Sequence, residues 1–160
     1  MPLKNSMDLV QNMCQDILGS PSIFWSLQGQ LAQAKVVLHL LWQGKAVLEK
    51  GKSALVMTAY EFNTTCLNCH LAPIDEKDVV LHDVMTADFV VIDDLGTEPM
   101  LKNVTCEYMQ LILDERLRKG LTTIITTNLS ELQLKERYGE RIFSRLSDTK
   151  HALMRRIPGK

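Results

Sequence analysis

Residues 87–96 read ADFVVIDDLG, and this stretch decides the fold. Phe89-Val90-Val91-Ile92 is the short apolar, largely β-branched run of a strand buried on both faces. It stops at Asp93-Asp94, and Gly96 supplies a turn. Working outward, LTTIITTN (121–128) repeats the form: a buried run ending in a polar residue. SALVMT (53–58) is a third buried strand. Helices fill the gaps, one from Ala59 over residues 59–70 and one from Asn103 or Thr105 to Lys119, closed by Gly120. Residues 130–137 and 139–147 read as two short helices, and HALMRRI (151–157) as a last strand. Toward the N-terminus, Met7, Val10, Met13 or Cys14, and Ile17 give residues 5–18 a helical spacing, with Asn5 or Ser6 as cap. GSPSI (19–23) breaks that helix, SIFWSL (22–27) is a short strand, and 28–50 read as a long helix by propensity. The alternation predicts an α/β protein, an αβα sandwich on a mainly parallel sheet. Ligands bind such sheets at the carboxyl ends of the strands, where Asp93, Asp94 and Asn128 fall.

Composition fits one domain. The chain has 160 residues, 46% of them apolar, enough to bury a core. Eighteen Lys and Arg nearly balance nineteen Asp and Glu, for a net charge of −1, so the chain is neither disordered nor broadly polybasic. No apolar run reaches the roughly 18–20 residues of a membrane span, and the N-terminus MPLKNSMDLVQ carries no signal-peptide pattern. The expectation is a cytoplasmic protein whose four cysteines are reduced thiols.

Three elements could carry chemistry. Of the paired acids, one carboxylate can hold Mg²⁺ through water while the next orients an attacking water, although an acid pair after a strand also starts ordinary turns. Asn128 can hold a water or a phosphate oxygen, or simply make a turn. Arg141 and Arg145 stand four apart on one helix face, placed for bidentate phosphate contact or, as plain surface charges, for pairing with Glu136 or Glu140. A fourth motif, Cys66-Leu67-Asn68-Cys69-His70, fits c-type haem attachment, or zinc with His82 or a partner residue added, but reads best as helix residues and the loop after them.

Taken in order, VVIDDLGTEP, ITTNLS and LKERYGERIFSRL resemble the AAA+ ATPase core of the bacterial DnaC/DnaI-type helicase loaders and their IstB-like relatives, from about Lys50 to Lys160. The resemblance implies a P-loop NTPase fold, ATP hydrolysis, and the cofactors ATP and Mg²⁺. It implies that Asp93 is the Walker B acid holding Mg²⁺ through water, that Asp94 replaces the usual catalytic Glu, and that Asn128 is sensor one. Arg145 would be the arginine finger, acting in trans in a homo-oligomer, with Arg141 the neighbouring candidate. The implied partners are a replicative helicase and single-stranded DNA.

One part of the family pattern is missing. A phosphate loop, GxxxxGK(S/T), belongs at about residues 26–36, where the chain reads Leu27-Gln28-Gly29-Gln30-Leu31-Ala32-Gln33-Ala34-Lys35-Val36. One glycine, and no hydroxyl beside the lysine, leave the β- and γ-phosphates without most of their ligands. Read one base out of register, codons permitted for residues 28–36 spell GPTGTGKS, a complete phosphate loop. The hypothesis is that residues 19–43 are an aberrant, out-of-frame segment within a single domain spanning 1–160; codons incompatible with that string would end it. The family's sensor-two arginine would follow Lys160, so its contribution is expected to be absent and the core truncated at the C-terminus. The expected function is an ATP-binding replication accessory protein impaired in nucleotide binding. The alternative is a non-catalytic remnant or interaction module that binds no nucleotide.

Overall fold

The computed structural model describes residues 24–28, 51–148 and 152–156, with side chains described over 51–148. Five strands form one sheet: β1 (Phe24–Gln28), β2 (Ala54–Thr58), β3 (Phe89–Leu95), β4 (Thr122–Thr127) and β5 (Ala152–Arg156). Their order is β2-β3-β4-β1-β5, and every pairing is parallel. The helices are α1 (Ala59–Leu71), α2 (Lys77–Thr86), α3 (Thr105–Arg118) and α4 (Glu131–Ser147), with a 3-10 turn at Ile74–Glu76. The expected α/β sandwich with a parallel sheet is the observed architecture. The expectations for residues 5–18, and for a helix over 28–50, lie outside the described residues.

Local chemistry explains the boundaries. Thr58 ends β2 and caps α1 in a reciprocal box: its hydroxyl accepts from the Glu61 N–H, and Glu61 accepts from the Thr58 N–H. Ser130 and Gln133 form the same box at α4. Within α4, Gly139 is non-helical (φ 83°, ψ 167°), so the element is two helices meeting at a kink, as the sequence predicted. The core sets Val90, Ile92 and Ile125 of the sheet against Phe62, Met109, Ile112, Leu113, Leu134 and Ile142 of the helices.

Two expectations need correction. SALVMT is not a buried strand: Ala54, Val56 and Thr58 are exposed, because among the described residues β2 is an outermost strand that pairs with β3 alone. Residues 77–86, to which the sequence reading assigned no element, form α2. It begins without a side-chain cap and buries only Leu81 and Val84, so neither a boundary signal nor a broad apolar stripe marks it.

At the amino edge of the sheet, Arg116 of α3 is fully buried. Its Nε donates to Thr123 Oγ1 at 2.8 Å, Nη1 to the carbonyls of Val84 and Ala87 at 2.7 and 2.9 Å, and Nη2 to the Thr122 carbonyl at 2.6 Å. Burial lowers its pKa to about 10, and the charge of Asp88 acts in the opposite sense. Asp88 accepts from Lys52 Nζ at 2.6 Å and from the N–H and hydroxyl of Ser53, tying the start of β3 to the start of β2. Lys52 and Ser53 together hold the Asp88 carboxyl down at about 2.

Candidate active site

At the opposite edge, β3 departs from regularity. Ile92 pairs with Ile125, but the next pair is Leu95 with Thr127, three steps on β3 against two on β4. This is a bulge of one residue, with Asp94 in the left-handed region at φ 59°. Consecutive residues of a regular strand point to opposite faces, so Asp93 and Asp94 would diverge. Here Asp93 Oδ1 accepts from Thr126 Oγ1 at 2.5 Å, and Asp94 Oδ1 accepts from Asn128 Nδ2 at 2.9 Å. The Asp94 N–H also donates to Thr126 Oγ1, at 2.8 Å, so one hydroxyl of β4 meets both acids across the bulge. Asp93 and Asp94 are half-buried and Asn128 is exposed.

The loop after the acids is firmly held. Gly96 (φ 112°) packs so closely on Leu129 that a Cβ there would lie 2.6 Å from Leu129 Cδ1. Its N–H donates to Glu98 Oε2 at 2.9 Å. Glu98, 2% exposed, also accepts from the Tyr138 hydroxyl, and its carbonyl accepts from Arg137 Nη2. Burial and the Glu98 carboxylate raise the pKa of Tyr138. Tyr138 immediately precedes the Gly139 kink, so one buried carboxylate joins the acid-bearing loop to that point of α4. Asn63 Nδ2 donates to the Pro99 carbonyl at 2.9 Å, and Asn63 Oδ1 accepts from Thr105 Oγ1 at 2.8 Å, fixing the rest of the loop.

The sequence-derived residues are partly brought together. Asp93, Asp94 and Asn128 form one cluster. Arg141 and Arg145 lie beyond the kink, and no described contact joins them to it. Arg141 is exposed, while Arg145 Nε donates to Asp114 Oδ1 of α3 at 2.6 Å, not to Glu136 or Glu140; Glu140 pairs with Lys135. Sequence reasoning missed Thr126 and Glu98. Thr126 stood inside the quoted TTN string, but only the bulge reveals what its hydroxyl faces.

Cys66 and Cys69 are buried on α1, and burial pushes the Cys66 thiol up to about 12, with Cys69 adding to the effect. His70 lies exposed on the same helix, not in the loop after it. Among the described residues, no group of three or more His, Cys, Asp or Glu is arranged to hold a metal ion. A cavity of about 580 Å³ opens between α1, α2 and α3, lined by Leu81, His82, Met85, Tyr108 and Leu111 among others, away from the acid pair. No described helix is long and apolar enough to cross a membrane.

No protein-family model and no curated protein matches this sequence. Solved structures do resemble it. The DnaC helicase loader superposes with a TM-score of 0.66 at 24% identity, over 98% of this chain and 88% of that one. A DNA replication initiation factor gives 0.70 at 14% identity, over 96% of this chain and 45% of its own. The replication initiator DnaA bound to AMPPCP and single-stranded DNA gives 0.69 at 15% identity, over 94% and 44%. The chain thus spans less than half the length of the last two and most of DnaC. The parallel sheet and its covering helices share the fold of the DnaC helicase loader and of DnaI.

Proposed function

We propose that this chain is an ATP-binding accessory protein of DNA replication, of the helicase-loader kind, with nucleotide binding weakened by its altered phosphate loop. The observation that carries the reading is the acid pair. Two carboxylates and an amide converge at the carboxyl edge of a parallel sheet, where α/β proteins bind ligands. Strand β1 lies beside β4 with Gln28 opposite Thr127, so the carboxyl end of β1 stands next to the strand end that carries this cluster. A neighbour of the same fold holds AMPPCP and single-stranded DNA.

The donor set fits Mg²⁺, a hard cation that favours carboxylate oxygens and retained waters. Asp93 would hold the ion through water, and Asp94, steadied by Asn128, would orient a water for attack on the γ-phosphate. When bound, Mg²⁺ neutralises charge developing on the phosphates. In a cytoplasmic homo-oligomer, an arginine from a neighbouring copy would complete the site. Arg145 would have to leave Asp114 to serve, whereas Arg141 is already exposed. ATP binding would then switch contacts with a replicative helicase and single-stranded DNA.

The test is a Mg²⁺-ATP titration of the folded chain, with Asp93→Ala as control. Micromolar binding lost in the control supports the reading. No binding up to millimolar ATP overturns it in favour of a second: an interaction module that keeps the fold without nucleotide. The single glycine in residues 27–36 and the lack of a hydroxyl beside Lys35 favour that alternative.

A further inference from the structure

We infer that Thr126 is a positioning residue for the acid pair, with one hydroxyl that fixes Asp93 and Asp94 together; its catalytic meaning rests on the ATP-site reading above. The need for it comes from the bulge. Where β3 takes three steps against two, backbone pairing with β4 is interrupted and the Asp94 N–H must find another acceptor. Thr126 Oγ1 is that acceptor, at 2.8 Å. The hydroxyl's own proton goes to Asp93 Oδ1 at 2.5 Å. A hydroxyl has one proton to give and lone pairs to receive, so both bonds can exist at once. Thr126 is 5% exposed, which limits competition from water.

The two bonds do different things. The bond from the Asp94 N–H holds the backbone of a residue in the left-handed region, from which its carboxylate reaches Asn128. The bond to Asp93 commits Oδ1 inward and leaves Oδ2 as the oxygen for an outer ligand. Thr127 provides a contrast. It is equally buried, and its hydroxyl donates to the Leu95 carbonyl at 2.6 Å and accepts from the Leu129 N–H at 3.1 Å. It braces the far side of the bulge, and its hydroxyl makes neither of these bonds to the acid pair.

The experiment compares the full-length chain with Thr126→Val, Thr126→Ser and Thr127→Val. Hydrogen exchange at the Asp94 amide is followed by NMR, and Mg²⁺-ATP affinity and turnover are measured alongside. Thr126→Val should speed exchange at Asp94 about tenfold, as expected for one lost hydrogen bond. It should lower kcat about 10–100-fold, the usual effect of removing a partner that orients a ligating group. Thr126→Ser should behave as wild type. Thr127→Val should lower Tm comparably but leave Asp94 exchange and kcat near wild type. Unchanged Asp94 exchange in Thr126→Val, or an equal loss of kcat in Thr127→Val, overturns the inference. A wild-type chain that binds no nucleotide, with the exchange pattern as expected, overturns the ATP reading while Thr126's hold on the pair stands. A wild-type chain that turns over ATP no faster than Thr126→Val overturns the Thr126 inference alone.

Discussion

The two ends of β3 and β4 solve opposite problems. At the amino edge, a buried guanidinium meets three carbonyls and a hydroxyl, and Asp88 is matched by Lys52 and Ser53. At the carboxyl edge, the ladder slips, Asp94 sits at φ 59°, and Asp93 and Asp94, both bonded to Thr126 Oγ1, stand partly in solvent. Left-handed backbone at a residue other than glycine is a feature that folding alone does not favour. One edge stabilises the fold, and the other uses part of that stability to hold an irregular strand end that carries two acids.

Substitutions can break or sharpen this contrast. Arg116→Met should have the largest effect, about 3 kcal/mol of destabilisation, because it strands buried carbonyls of Val84, Ala87 and Thr122; urea denaturation measures it. A loss below 1 kcal/mol would erase the contrast from the amino side. Gly96→Ala should cost about 2 kcal/mol, from strain at φ 112° and collision with Leu129, showing that the loop just past the acids is tightly packed while the acids stand partly in solvent; thermal unfolding measures it.

Asp88 should make stability depend on acid. Its folded pKa is lowered to about 2, so its contribution is complete above the unfolded value of about 4 and is lost as pH falls through the folded value. The loss should be about 1 kcal/mol after solvent screening, and Asp88→Asn should remove that dependence from acid-denaturation curves. Asp94→Gly should leave stability within about 0.5 kcal/mol, because relief of left-handed backbone offsets the lost bond to Asn128. Nucleotide binding, measured by titration, should nevertheless fall. The smallest effect is expected for Arg145→Ala, under about 0.5 kcal/mol in thermal unfolding, since its pair with Asp114 is solvent-exposed.

Much of this was legible beforehand because it depends on neighbours in sequence. The apolar runs of β3 and β4, the start of α1 after Thr58, the stop at Gly120 and the break at Gly139 are local signals. What was not legible depends on distant partners. Nothing in SALVMT says that it lies outermost, and nothing local marks α2. Arg116 looks like a surface charge on a helix, and Glu98 like a loop carboxylate, until Thr122 and Tyr138 arrive from elsewhere. The cluster was legible as a set of residues, but its geometry was not. Two adjacent acids on one strand should diverge, and only the slip against β4 lets one hydroxyl, Thr126 Oγ1, meet both.

That slip makes the site more sensitive to chain length than to composition. Many side chains around the acids can change while the slip is kept. Only Asp93 and Asp94 stand between Ile92 and Leu95, so the extra residue is itself one of the acids, and a deletion that let β3 run evenly along β4 would take one carboxylate with it. The result would be a tidier strand and an unfolding curve hardly altered, in a protein that had lost its paired acids.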